Sequence, residues 1–287
     1  MNRNLLKEIE ERLPTFSKGQ RLISAYILNN YDKAAYMTAA KLGSIVNVSE
    51  STVVRFAIEI GYEGYPEFQH ALQEMVRTKL TSFQRMEVTN NLIGDGDVLG
   101  KVLLSDADKI KRTLEDIDRE AFFAAVDDIV SASNIYVIGA RSSASLASFL
   151  SHNLGMVFDG VKSVPTASSG EMFENMLNLC ADDVLIAISF PRYSKKVINA
   201  VDYASGKGAK VIAITDSTAS PIAELADRQL LAKSDMASFV DSLVAPLSII
   251  NAIIVAVARK NQDELTQRLR RLEAIWDEYD VYDKNLS

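Results

Sequence analysis

The spacing of apolar residues changes period once along this chain of 287 residues, and that change constrains the architecture more than any other feature. Up to residue 78, apolar residues recur at helical spacing in "LLKEIEERL", "GQRLISAYILNNY", "TAAKLGSIV", "STVVRFAIEIG" and "YPEFQHALQEMVRTKL". That is the one-sided stripe of amphipathic helices, and nothing in this stretch alternates as a half-buried strand does. From about Asp118 short continuous apolar runs take over, at 134–139, 160–165, 183–189, 210–215 and 228–232. Helical stretches such as "SSASLASFLSHNL", "KKVINAVDYASGKG" and "PIAELAD" separate them. Strands alternating with helices imply right-handed crossovers and a parallel sheet covered on both faces. The pattern therefore predicts two domains. A compact helical domain of about five helices spans 1–78. A linker and connecting helix follow over 79–118, with "TNNLIGDGD" (89–97) as its clearest loop. An α/β domain with a five-stranded parallel sheet and C-terminal helices takes 119–287.

Charge divides along the same line. Residues 1–80 carry 10 Lys and Arg against 9 Asp and Glu, whereas the remainder carries 21 against 29. An acidic body argues against coating nucleic acid with the whole surface, and leaves a locally basic reading surface at the N-terminal end. Cys180 is the only cysteine, which excludes an intrachain disulfide and a cysteine-built zinc site and fits a reducing, cytoplasmic setting. "MNRNLLKEIEERLPTF" has no apolar centre and does not read as a signal peptide. "SLVAPLSIINAIIVAVA" (242–258) is uncharged, but it sits at the lower edge of a spanning length and contains Pro246, Asn251 and serines. It reads as a helix of the core or of a subunit interface, with no membrane partner.

The densest signal in the first part is "TAAKLGSIVNVSESTVVRFAIEIGYEGY" (38–65). Ala39, Leu42 and Val46 stripe one helix, Asn47 and Val48 make a short turn, and Ser49 caps the next helix. Val53, Val54 and Phe56 face the core, which leaves Ser49, Glu50, Ser51, Thr52 and Arg55 at an exposed helix start. Small hydroxyls and an arginine there suit a major groove: hydroxyls and N–H groups meet phosphates, and Arg55 reaches a base edge or a phosphate. Lys41 on the preceding helix joins Ser49, Ser51, Thr52 and Arg55 as a candidate contact to double-stranded DNA. The plainer alternative is an ordinary helical hairpin with a capped second helix. The turn also lacks the glycine often found in such motifs.

Three strand ends carry polar turns: "VIGARSSASLA" (137–147), "ISFPRYSKKVI" (188–198) and "AITDSTASPIAELAD" (213–227). In a parallel sheet these ends share one edge, where open α/β folds place their ligands. Ser142, Ser143 and Ser194 stand at helix starts, and Ser217 or Ser220 is placed to cap a third helix. Neutral donors at helix N-termini suit a phosphate; the alternative is that these serines are only N-caps. Neither a G-x-x-x-x-G-K-[ST] nor a G-x-G-x-x-G motif is present, so no nucleotide cofactor is called for. Nor does the sequence call for a metal.

Two resemblances sharpen this reading. Residues 38–72 resemble the N-terminal helix-turn-helix of RpiR-type bacterial regulators, matching their pattern at Ala40, Val48, Ser49, Ser51, Thr52, Val53, Arg55, Phe56, Gly61, Gly64, Tyr65 and Phe68. The second part resembles the SIS (sugar isomerase) domain, which binds phosphosugars. Its first-loop pattern, G-x-G-x-S, meets Gly139, Arg141 and Ser143; its second, S-x-S-G-x-T, meets Ser189, Pro191, Arg192 and Ser194. Pro191 removes a hydroxyl and an N–H donor from that second loop, and Arg192 offers a charge instead. The resemblance implies a transcriptional regulator, not an enzyme, in which a sugar phosphate held by Ser142, Ser143, Ser189, Arg192 and Ser194, with Glu171 toward the sugar hydroxyls, alters affinity for operator DNA. Separately, the uncharged helix 242–258 and the amphipathic tail 263–280 carry more apolar surface than one small domain readily buries, which predicts a homodimer or a homotetramer built as a dimer of dimers. A phosphosugar isomerase is the alternative, and it needs an acid–base pair. Only His70 and His152 are available as histidines, His70 in the helical domain and His152 in "LSHNL". Glu171, which follows the second strand, is the better candidate, but a carboxylate that orients sugar hydroxyls serves a sensor equally well. Without a clear acid–base pair no catalytic residue is assigned.

Overall fold

The computed structural model describes residues 5–79, 81–86, 96–236 and 238–282. They pack as two units, one drawn from Met1–Lys101 and Met236–Asp241, the other from Val102–Asp235 and Ser242–Ser287. Most of the loop expected at 89–97 lies outside the described residues.

The first unit is helical: α1 (Leu5–Arg12), α2 (Lys18–Asn29), the single turn α3 (Tyr31–Ala34), α4 (Ala39–Val46), α5 (Glu50–Ile60), α6 (Tyr65–Lys79) and a short α7 at 82–86. The stripes read from the sequence converge on one core, in which Phe56 lies edge-on to Phe16 and to Phe68 at 5.4 and 5.8 Å. The missing turn glycine has a substitute. Asn47 adopts φ 57° and ψ 47°, the left-handed conformation that asparagine tolerates better than most residues. Gly43 does the other half of the work, since a Cβ there would stand 2.8 Å from the Val48 carbonyl oxygen. Within the same unit Arg85, 2% exposed, pairs with Asp241 at 2.9 Å.

The second unit holds α8 (Val98–Asp116, its first turn shared with the other unit), α9 (Arg119–Ser131), β1 (Ile135–Gly139), α10 (Ser143–Gly155), β2 (Val161–Val164), α11 (Ser169–Asn175), β3 (Val184–Ile188), α12 (Lys195–Gly206), β4 (Lys210–Thr215), β5 (Arg228–Leu231), α13 (Val244–Lys260) and α14 (Gln262–Glu278). The five strands are parallel, in the order β2-β1-β3-β4-β5. β1 and β3 are buried at every residue, as strands covered on both faces must be. Alternate residues feed two cores: Ile135, Val137, Ile186 and Ile212 pack on one face, and Tyr136, Ile138, Leu185 and Val211 on the other.

One expected helix is absent. "PIAELAD" (221–227) forms consecutive turns, tied by Ala223 N–H to Ser220 O and by Ala226 N–H to Ala223 O. The end of the segment is committed to the sheet instead: Asp227 N–H donates to Val211 O and Gln229 Nε2 to Ala223 O, both at 2.9 Å. Ser220 accordingly caps a turn, its Oγ accepting from Ala223 N–H at 3.2 Å. The uncharged stretch is α13, whose Ala245, Pro246, Ile249, Ile250, Ile253 and Val257 are buried. Pro246 lies in its first turn, where the missing N–H costs no helical bond. Among the described residues no single helix is long and apolar enough to cross a membrane.

Candidate functional site

The sheet order places the ligand edge. From β1 the chain moves to β2 on one side and then to β3 on the other, so the order reverses between β1 and β3. The crevice beyond the carboxyl ends of such a pair is where open α/β sheets bind ligands. Gly139 and Ile188, the last residues of the two strands, are register partners. Ser142 and Ser143 follow the first, and Ser189, Arg192 and Ser194 follow the second, so the topology brings both serine-rich turns to one point. Glu171 lies in the first turn of α11, exposed, after neighbouring β2.

The backbone of each turn is specialised. Arg141 and Arg192 have φ of 57° and 65°, a left-handed conformation that most residues avoid. They occupy the positions the sequence comparison gives to glycine. Gly139 is required by close approach instead: a Cβ on it would lie 2.4 Å from the Ser143 carbonyl oxygen, because α10 starts directly over the strand end. Ser143 and Ser189 are buried, at 5% and 3% exposure, whereas Ser142 and Arg192 are exposed.

The hydroxyls do not behave as caps. Ser142 and Ser194 precede α10 and α12, and neither side chain accepts a bond from its own helix. Ser17, Thr38, Ser49 and Asp118 in the same chain do cap the helices that they precede. The first N–H groups of α12 have no intrahelical acceptor, so its N-terminus faces the edge with donors and a positive dipole end.

Residues not singled out from the sequence tie the edge together. Lys196 Nζ donates to Thr166 O and Ala167 O, both at 2.7 Å, and Thr166 Oγ1 donates to Gly139 O at 3.4 Å. Thr215 Oγ1 donates to Ser189 O at 2.8 Å, and the Tyr193 hydroxyl donates to Asp216 at 2.9 Å. The ends of β2, β1, β3 and β4 are thereby linked. Pairs 23 to 30 residues apart leave no local pattern, which is why sequence reading passes over them. His152 lies in the last turn of α10, at the opposite end of that helix from Ser143.

In the helical unit α5 starts as expected. Ser49 Oγ accepts from Thr52 N–H at 3.3 Å and lies 2.9 Å from Ser51 Oγ and 2.8 Å from Thr52 Oγ1. Ser49, Ser51 and Arg55 are exposed, as is Lys41 in the first turn of α4, while Thr52 is half-buried. A Cβ on Gly19 would meet the Thr52 methyl at 3.3 Å, so Thr52 also packs against α2. Val53, Phe56, Ala57 and Ile60 form the buried face. Gly61, at φ 104°, closes the helix.

Comparison with known proteins follows this division. The model of the helix-turn-helix domain of the rpiR family matches residues 3–79, and the SIS domain model matches residues 128–256. The chain is an RpiR-type regulator. Relatives named as the HTH-type transcriptional regulator HexR are 26% identical in Escherichia coli, over 99% of this chain and 97% of the relative, and 24% identical in Pseudomonas aeruginosa, over 94% and 95%. Among solved structures, the Vibrio vulnificus NanR protein complexed with ManNAc-6P shares the fold with a TM-score of 0.59 and 22% identity, over 96% of this chain and 99% of NanR. The sugar isomerase domain of an RpiR transcription factor from Sphaerobacter thermophilus gives a TM-score of 0.57 at 28% identity, over 61% and 97%.

Proposed function

We propose that this RpiR-type chain is a cytoplasmic transcriptional regulator that binds operator DNA through α5 and answers to a phosphorylated sugar held at the β1/β3 edge of its SIS domain. One observation carries the ligand half: serines head α10 and α12 at the reversal of strand order without capping them. Their hydroxyls, with the buried Ser143 and Ser189 and the N-terminus of α12, supply neutral donors suited to phosphate oxygens. Ser142, Ser143, Ser189, Ser194 and Arg192 hold the phosphate, and Glu171 accepts from sugar hydroxyls. On the DNA side, Arg55 reaches a base edge while Lys41, Ser49, Ser51 and Thr52 position the helix on phosphates. The protein works as a homodimer or dimer of dimers and binds its ligand without turning it over. In support, His152 is remote from the serine turns, which leaves Glu171 without a histidine partner there.

A ligand changes DNA affinity only if it prefers one of two states of the protein, and the usual coupling is about 1–3 kcal/mol, roughly five- to 150-fold. The test is a gel-shift titration of operator fragments, recovered on purified protein, against a panel of sugar phosphates. Ser143→Ala and Ser194→Ala abolish the shift and leave ligand-free DNA binding near wild type. Arg55→Ala loses about 1–3 kcal/mol of specific binding with the fold intact. A sugar phosphate that shifts wild type and both serine variants equally overturns the ligand site. Unchanged operator binding in Arg55→Ala overturns the role given to that residue. Turnover of any panel member restores the isomerase reading.

A further inference from the structure

A second cleft opens at the other end of α10. Helix α10 runs from Ser143 to Gly155, and at about 1.5 Å per residue its ends lie roughly 18 Å apart. The serine turns occupy one end. At the other, the last turn of α10 and the start of the β2 segment face α14 across a cleft of about 870 Å³. That is room for a ligand larger than a phosphosugar, within the usual range of small-molecule sites.

The lining is chemically mixed. His152 and Asp159 come from one wall, and Arg268, Arg271, Trp276 and Tyr282 from the other. Asp159 is the one carboxylate in the lining, and it is matched: Arg268 donates to it at 2.7 Å and also reaches Gly155 O at 3.4 Å. Arg271 and His152 make no hydrogen bond or ion pair with any described residue. Glu264 borders the adjoining depression and is not part of the cleft. One guanidinium is therefore left over, with an imidazole beside it. A guanidinium offers a planar fork of donors suited to phosphate oxygens. Trp276 and Tyr282 stand edge to face, ring centres 5.4 Å apart and planes at 88°, so they form a corner with one flat face and one edge. A planar heteroaromatic ring lies on such a face more closely than a puckered sugar does.

We propose that this cleft is a second small-molecule site of the SIS domain, taking a nucleoside monophosphate. The phosphate lies against Arg271 and His152, and the base against Trp276 and Tyr282. The site uses no residue of the β1/β3 edge and stands or falls independently of the sugar-phosphate reading.

Trp276 is the only tryptophan of the chain, so its fluorescence reports this cleft alone. The full-length protein is titrated with AMP, with adenosine and with inorganic phosphate. AMP gives a saturable change and binds at least about tenfold more tightly than either fragment, because base and phosphate contacts are made together. Arg271→Gln, at an exposed position, weakens AMP about tenfold or more through loss of a charged contact. Ser143→Ala and Ser194→Ala leave AMP binding unchanged. Absence of a saturable change overturns the proposal, as does equal binding by Arg271→Gln. Loss of binding in the serine variants overturns it too, since AMP would then sit at the sugar-phosphate edge. Light scattering on Arg271→Gln closes the remaining route: a changed mass makes the cleft a contact between copies of the chain, and the proposal falls.

Discussion

At the scale of single residues, the helical unit shows how a small polar contact sets a pH limit. The Tyr65 hydroxyl, on a residue 5% exposed, donates to Met37 O at 2.7 Å, and burial pushes its pKa from the ordinary 10.0 up to about 12. The folded protein then keeps a proton that the unfolded chain has released between those two values. Its contribution to stability is fully present below pH 10 and is lost as pH rises through about 12, an effect of up to roughly 2–3 kcal/mol. Tyr65→Phe removes that slope from the urea midpoint measured across the interval. At neutral pH the variant costs about 1 kcal/mol, because the Met37 carbonyl still accepts from Gln69 Nε2 at 2.7 Å and is not orphaned. An identical slope in wild type and variant refutes the assignment. Which residues are buried was legible from the sequence here, since Tyr65 and Phe68 fall on the apolar stripe of α6. The clamp on Met37 was not, because it spans 28 residues and uses a backbone acceptor that any residue offers.

At the scale of elements, the strands were readable almost to the residue. Continuous apolar runs bounded by polar turns leave few alternatives, and β4 occupies the expected 210–215 unchanged. The helix expected at 221–227 failed because local composition says nothing of the bonds from Asp227 and Gln229 that tie its end to the sheet. The serine turns lie between these cases. Their place at the helix starts was legible, but the absence of capping bonds at Ser142 and Ser194 was not, since a serine before a helix ordinarily caps it. Nor was the reason for Gly139. Its sequence position suggests loop freedom, whereas the structure shows that the start of α10 crosses its Cα. Gly139→Ala would place a methyl 2.4 Å from Ser143 O, 2.8 Å from Ser143 C and 3.1 Å from the Ala147 Cβ. Backbone atoms cannot rotate aside, so the start of α10 must shift. We expect a loss of about 1–3 kcal/mol in urea unfolding, together with a lost response to sugar phosphate while operator binding persists. Unaltered stability and response would mean that the helix start is free to move.

At the scale of the whole molecule, the α/β unit leaves more apolar surface in water than a solitary domain usually does. On α8, Leu103, Leu104 and Leu114 are 59%, 74% and 60% exposed; Phe123 on α9 and Val255 on α13 are 56% and 58% exposed. Between them Ile110, Leu114, Phe122, Phe123, Ile249 and Ala252 line a shallow cleft of about 260 Å³. Contiguous apolar patches of this kind mark association sites in soluble proteins. The uncharged composition of 242–258 pointed to the core or to an interface, and α13 serves the first with one face while Val255 lies on the other. A second copy of the chain is the occupant that suits a regulator of this type, because two-fold pairing of helix-turn-helix domains matches the symmetry of a palindromic operator. Light scattering at micromolar concentration should give a dimer or tetramer. Leu114→Glu combined with Phe123→Glu should lower the mass, since burying two carboxylates without partners costs more than the apolar contacts return. Both positions are exposed, so the fold itself should survive with its urea midpoint nearly unchanged. Operator affinity then falls with the mass, because each helical unit alone reads only half a site. A wild-type monomer that binds its operator tightly, or a double variant that keeps both its mass and its affinity, would remove this face from the assembly.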